Sequence, residues 1–149
     1  MHEDAFLKVI ETIRAKDTRY GPDAYLFLRE ALDYTSKVLN KASEGPRRHV
    51  SGKELIDGIR AYALQEFGPL ALTVLRSWGI RLTADFGEIV FNLVESGILG
   101  RTEQDRKEDF ADGYDFYDAF ARPFLPRARR RAGKSRAASA RPPVARDRK

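Results

Sequence analysis

The chain has 149 residues, no cysteine, 42% hydrophobic residues and a formal net charge of +5 at pH 7. This length fits one domain, and the lack of cysteine excludes disulfides, zinc–thiolate sites and a cysteine nucleophile within the chain. No apolar run approaches the roughly 20 residues of a membrane helix, and the acidic start is unlike a signal peptide. We therefore expect a cytoplasmic protein without membrane contact.

Charge is distributed unevenly along the chain. Ten of its 27 Lys and Arg residues lie in residues 127–149, but only one of its 22 Asp and Glu residues, so this segment carries +9 and the rest −4. Val144 is the only large aliphatic residue of the segment, too little apolar area to offset the cost of ordering it. Pro123 and Pro126 mark the boundary. We expect a globular domain over 1–126 and a disordered basic tail over 127–149.

Helical periodicity dominates the first two thirds of the chain. Apolar residues three and four positions apart predict five helices, over 3–15, 22–42, 52–67, 70–78 and 83–97. Pro22 suits the first turn of the second helix, because an N–H group at that position has no hydrogen-bond partner within the helix. Ser51 and Glu54 have the spacing of a capping box at the start of the third.

The spacing of the apolar residues changes after the fifth helix. Residues 98–102 and 114–116 predict two strands that flank a polar loop. Residues 118–122 predict a last helical turn. Three helices with a tight turn between the last two, followed by a hairpin, resemble a winged helix-turn-helix over residues 52–118. The predicted fold class is mainly α with a small β-hairpin: a single domain whose winged helix-turn-helix-like core follows two N-terminal helices.

Six segments of the domain form a combination that is specific to one group of proteins. They are Arg19–Phe27, His49–Leu55, Phe67–Ala71, Trp78–Ile80, Asp85–Val94 and Glu108–Phe120. In this combination, residues from about 5 to 126 resemble a small uncharacterised conserved bacterial protein family of planctomycete and verrucomicrobial type. The resemblance implies no functional residues and does not extend into the basic tail.

The basic tail is the candidate nucleic-acid-binding element. Lys and Arg side chains neutralise phosphates and release counterions, which gives a salt-dependent affinity without sequence preference. The residues expected to contact nucleic acid are Arg127, Arg129, Arg130, Arg131, Lys134, Arg136 and Arg141. The expected partner is RNA or DNA, with the ribosome among the candidates. A solubilising tail without a partner is the alternative interpretation.

The polar side of the fifth helix is the candidate docking surface for a protein partner. Its residues, spaced by three and four positions, are Asp85, Glu88, Asn92 and Glu95. Three carboxylates would repel the phosphates that line a DNA groove, so groove reading by this helix is disfavoured. A solvated acidic surface is the alternative. The side expected to be buried carries Phe86, Ile89, Val90 and Leu93.

No motif predicts catalysis, a cofactor or a metal site. His49, beside Arg47 and Arg48, is a candidate phosphate contact or general base, with packing at the entry to a helix as the alternative. Gly-rich phosphate loops are absent from the sequence, and a metal would need mostly carboxylate ligands. We therefore expect a non-enzymatic interaction protein that contacts nucleic acid through its tail. A protein-docking module ranks second, and a hydrolase or transferase using His49 third.

Overall fold

The computed structural model describes residues 2–42, 50–99 and 106–126. Their α-helices are α1 (His2–Lys16), α2 (Pro22–Ala42), α3 (Gly52–Phe67), α4 (Ala71–Ser77) and α5 (Thr83–Glu95). Short 3-10 turns span Gly68–Leu70, Lys107–Phe110 and Arg122–Phe124, and a π-helical turn spans Tyr117–Ala121. All five predicted helices are thus present, with bounds within about two residues of those expected from the sequence.

The signals at the helix ends are confirmed. The Ser51 hydroxyl accepts a hydrogen bond from the Glu54 amide at 3.1 Å, and the Glu54 carboxylate accepts one from the Ser51 amide at 3.0 Å. This reciprocal pair satisfies amides that the first turn of α3 leaves unbonded. Helix α2 begins at Pro22, as predicted.

The predicted β-hairpin is wrong, because the described residues contain no strand. The amides of Ile98 and Leu99 both donate to the Leu93 carbonyl, so this segment closes the end of α5 instead of starting a strand. Residues 100–105, which include the end of the expected first strand and the start of the expected loop, lie outside the described part. Without a wing, the winged helix-turn-helix class is also wrong.

The helical turn predicted over 118–122 is present as the turn Tyr117–Ala121, and Phe116 of the expected second strand leads into this turn instead of pairing in a hairpin. Phe116 and Phe120 are both buried, with ring centroids 5.2 Å apart. Their spacing of four residues brings side chains together on one side of a helix. The Tyr114 hydroxyl donates to the Ile56 carbonyl of α3 at 2.7 Å, which fixes the start of this turn. Contact with the helical core therefore overrides the short alternating pattern that predicted a strand.

The core joins all five helices to the segment after residue 106. Its most deeply buried large side chains include Ile10, Tyr20, Tyr25, Leu28, Ile59, Leu75, Ile80, Phe86, Ile89, Leu93 and Phe120. Phe91, on the second side of α5, meets Phe110 edge-on at 6.5 Å. No helix in the described part of the chain is long and apolar enough to cross a bilayer.

Candidate functional site

The polar side of α5 lies against the loop between α1 and α2. The Gly21 amide donates to the Trp78 carbonyl at 3.0 Å, which joins this loop to the turn between α4 and α5. Gly79, in that turn, has φ of +92°, and a Cβ there would overlap the Arg19 carbonyl. Glycine permits both the backbone conformation and the close approach. The result is a fixed contact between residues 17–21 and the beginning of α5.

Asp85 is the most fully bonded carboxylate of this contact. One of its oxygens accepts hydrogen bonds from the backbone amides of Arg81 and Leu82, at 2.8 and 3.0 Å. The other accepts the Tyr20 hydroxyl proton at 2.6 Å. Asp85 therefore caps the first turn of α5 and also satisfies a phenol that is only 1% exposed. Burial, followed by the hydrogen bond to Asp85, raises the pKa of Tyr20 well above its ordinary value.

Glu88 lies one turn further along the helix and forms two ion pairs. Its Oε1 is 3.2 Å from an Arg19 guanidinium nitrogen and 3.2 Å from Lys107 Nζ. The Glu88 side chain is 29% exposed, whereas both cations are more than half exposed. These contacts tie the α1–α2 loop and the 107–110 turn to the same point on α5.

Asn92 completes the contact through its side-chain amide. This amide donates to Asp17 Oδ2 at 3.1 Å and to the Tyr25 hydroxyl oxygen at 3.0 Å. Asp17 also pairs with Arg19 through both carboxylate oxygens, at 2.9 and 2.7 Å. The hydrogen bond from Arg19, assisted by that from Asn92, holds the pKa of Asp17 well below its ordinary value.

Three of the four candidate docking residues are thus used inside the molecule. Asp85, Glu88 and Asn92 are half-buried, so the expectation that they are exposed is wrong for all three. Glu95 alone of the four is exposed. The opposite side of α5 buries Phe86, Ile89 and Leu93 as predicted, whereas Val90 is half-buried. The predicted polar side exists, but it is mainly an internal contact.

The other predicted site residues lie outside the described part of the chain. This holds for Arg47, Arg48 and His49, which stand between α2 and α3, and for every basic residue of the tail. Their predicted contacts with phosphate remain predictions. Within the described ranges, no group of three or more His, Cys, Asp or Glu side chains has an arrangement able to hold a metal ion.

Sequence reasoning missed the loop residues that meet α5. Asp17, Arg19 and Tyr20 lie between the first two predicted helices, and no contact with α5 was predicted for them. They supply the partners of Asn92, Glu88 and Asp85, respectively. One available signal was the tyrosine among the charged residues of a short loop, because a buried tyrosine hydroxyl needs a polar partner. The regular spacing of Asp85, Glu88 and Asn92 offered such partners on one side of a helix.

Comparison of the chain with family models, with curated proteins and with solved structures found no match.

Proposed function

We propose that this chain is a non-enzymatic nucleic-acid-binding protein that contacts phosphates through its basic tail, without reading base sequence. The observation that carries the proposal is the division of charge into +9 on residues 127–149 and −4 on the rest. Seven cations, Arg127 to Arg141, lie within fifteen consecutive residues of this tail. Such a density of positive charge favours a polyanion over an isolated acidic side chain.

Three cations of the helical domain are already paired with carboxylates of the same domain. Arg19 is paired with Asp17 and Glu88, and Lys107 with Glu88. Arg122 lies 3.2 Å from Asp118. These side chains would have to exchange an internal carboxylate for a phosphate, whereas the domain carries a net negative charge that repels phosphates. We therefore propose that the tail binds nucleic acid and thereby attaches the helical domain to it.

Truncation separates the two parts directly. The full chain and a chain ending at Pro126 are titrated against fluorescein-labelled 20-nucleotide single strands of RNA and DNA, with anisotropy as the readout. We expect the full chain to bind both at 50 mM salt and to lose about 10³-fold in affinity at 200 mM salt if all seven cations contact phosphates. Oligonucleotides of scrambled sequence should bind within a few fold of one another.

The shortened chain should not bind, although its circular dichroism and melting temperature stay close to those of the full chain. All described helices and the whole described core precede residue 127, so the shortened chain keeps every contact of the described fold. If the shortened chain binds as tightly as the full chain at low salt, the proposal is refuted. Binding is then assigned to the helical domain.

The alternative function, docking of a protein partner on α5, has less support. It needs a free surface at Asp85, Glu88, Asn92 and Glu95, and the first three bond to the α1–α2 loop. A partner would have to replace those bonds, at a cost of about 1 kcal/mol for each hydrogen bond left unmade. Glu95 alone is a small surface for specific docking.

A further inference from the structure

A second acidic surface lies where α2 packs against α3. Gly58 of α3 lies so close to Thr35 of α2 that a Cβ there would overlap the threonine side chain. This close approach brings aromatic side chains of the two helices together. The rings of Tyr34 and Tyr62 are 5.2 Å apart, and those of Tyr62 and Phe27 are 5.5 Å apart.

The aromatic series continues onto the end of α4. The buried ring of Phe27 also contacts Trp78, with centroids 5.4 Å apart, and Phe67, at 5.7 Å. Unlike Phe27, the Tyr34, Tyr62 and Trp78 side chains are only half-buried. Each of these three residues therefore keeps part of its surface exposed.

Three carboxylates act on the hydroxyl group of Tyr62. The Tyr62 hydroxyl donates to Glu30 at 3.3 Å. Partial burial, followed by the negative charges of Glu30, Glu66 and Asp33, raises the pKa of Tyr62. All three carboxylates belong to exposed residues. We call this surface the aromatic–acidic face: Tyr34, Tyr62, Trp78, Glu30, Asp33 and Glu66.

The carboxylates of this face are little used inside the molecule. Within the described part of the chain, Glu30 and Glu66 form no ion pair, and Asp33 pairs only with Lys37, at 3.1 Å, where both side chains are more than 60% exposed. A pair as exposed as this contributes little to stability. The face therefore presents negative charge next to partly exposed aromatic residues.

This combination matches the chemistry of arginine. A guanidinium group stacks on aromatic rings and pairs with carboxylates through two parallel hydrogen bonds. The basic tail of the same chain holds eight arginines and two lysines, and it follows Pro126, the last described residue. Fully extended, its 23 residues span about 75 Å, which exceeds the diameter of a domain of this size. The tail is long enough to reach the face.

We propose that residues 127–149 dock on the aromatic–acidic face of their own domain, and that nucleic acid competes with the face for the same arginines. The docking itself does not rest on the proposed function, whereas the competition does. Since only the undocked tail binds nucleic acid, the apparent affinity falls in proportion to the undocked fraction. If about two thirds of the molecules are docked, removing the face raises the affinity about threefold.

Trp78 gives a direct readout that needs no nucleic acid. It is the only tryptophan of the chain and belongs to the face. Raising the salt concentration from 20 to 500 mM screens the attraction between tail and face. We expect this change to shift the Trp78 emission of the full chain, independently of protein concentration. The triple variant Glu30→Gln, Asp33→Asn and Glu66→Gln should show no such shift.

The matched control variant removes the same charge from elsewhere on the domain. Asp4, Glu11 and Glu108 are exposed residues of α1 and of the 107–110 turn, and none is among the charges that act on Tyr62. The variant Asp4→Asn, Glu11→Gln and Glu108→Gln should keep the salt-dependent emission shift. It should also bind the oligonucleotides more weakly than the face variant, although both have the same net charge.

A tail variant tests the same contact while the helical domain stays unchanged. Replacing Arg129, Arg130 and Arg131 with Gln should remove most of the salt-dependent shift. This variant decides the question if the face variant loses its circular dichroism signal. A full shift in either folded variant, or no shift in the original chain, would overturn the docking proposal. A shift that grows with protein concentration would also overturn it, because the tail would then occupy a second copy.

Failure of the proposed function would look different. If the full chain binds no oligonucleotide but shows the emission shift, docking stands and the nucleic-acid assignment falls. If it binds oligonucleotides without the shift, and the face and control variants bind equally, the proposed function stands and the docking proposal falls.

Discussion

The polar side of α5 and the aromatic–acidic face are both acidic helix surfaces, but they use their carboxylates in opposite ways. On α5, Asp85 accepts three hydrogen bonds and Glu88 forms two ion pairs. On the aromatic–acidic face, Glu30 accepts one long hydrogen bond and Glu66 forms no ion pair in the described part of the chain. The carboxylates of the first surface form contacts within the fold. Those of the second remain exposed and available to pair with a cation.

The difference comes from the segments that pack beside each helix. The α1–α2 loop brings Arg19 and Tyr20 to α5, and the 107–110 turn brings Lys107. The carboxylates around Tyr62 receive aromatic neighbours instead. Helical spacing shows which carboxylates share a side, but tertiary contacts decide whether that side remains available to a partner.

Core packing under α5 should give the largest effect on stability. Ile89 is fully buried on the side of α5 opposite the polar contact. We expect Ile89→Ala to lower the free energy of unfolding by about 2–5 kcal/mol, since it leaves a cavity. Leu82→Ala is the control, because Leu82 is 64% exposed at the start of the same helix. Urea denaturation measures both, and a loss below about 1 kcal/mol for Ile89→Ala would contradict the assigned core.

Removing one aspartate from each surface tests the contrast most sharply. Asp85→Ala should cost about 2–3 kcal/mol, because it removes the cap of α5 and leaves the buried Tyr20 hydroxyl without its acceptor. Asp33→Ala, on the aromatic–acidic face, should change stability by no more than about 0.5 kcal/mol. Equal losses for the two variants in urea denaturation would show that the surfaces do not differ in this way.

Acid should weaken the α5 contact through Asp17. Its folded-state pKa lies below the unfolded value of 3.8, so its contribution is present above that pH and is lost as pH falls further. We expect the unfolding free energy to fall between pH 5 and pH 2, and to fall less in Asp17→Asn. Asp33→Asn serves as the control and should follow the original chain. The same acid sensitivity in all three proteins would contradict a special role for Asp17.

The smallest of these effects is expected at Glu88. Its partners Arg19 and Lys107 are more than half exposed, and water screens such pairs. Glu88→Gln should therefore cost no more than about 1 kcal/mol at low salt, and less at 500 mM salt. Glu66→Gln should show neither the loss nor the salt dependence. A large loss that persists in high salt would mean that Glu88 contributes through packing or hydrogen bonding rather than through charge.

The sequence was sufficient to predict the helices, because their ends carry local chemical signals. Ser51 and Glu54 cap α3, and Pro22 starts α2, without the help of distant residues. The segment after α5 was not predictable in this way. Tyr114 and Phe116 fit a short strand pattern, and contact with the core instead places Phe116 at the start of a helical turn.

The internal role of the α5 carboxylates was hidden for a related reason. Their partners in the α1–α2 loop lie 65 to 75 residues away in sequence, from Tyr20 to Asp85 and from Asp17 to Asn92. A single sequence shows charge and spacing but not which loop meets which helix. The aromatic–acidic face was hidden likewise, because Tyr34 and Tyr62 come together only when α2 packs on α3.

The salt dependence of oligonucleotide binding tests the central claim, that the basic tail makes the phosphate contacts. The observed association constant for a 20-nucleotide RNA is measured from 50 to 300 mM salt for the full chain and two variants. One replaces Arg129, Arg130 and Arg131 with Gln, and the other replaces the exposed Lys8, Arg60 and Arg76 of the domain. We expect the slope of log K against log salt to fall by about 2 in the first variant, about 0.7 for each lost phosphate contact, and to stay unchanged in the second. Equal slopes in both variants, or a fall only in the second, would contradict the claim.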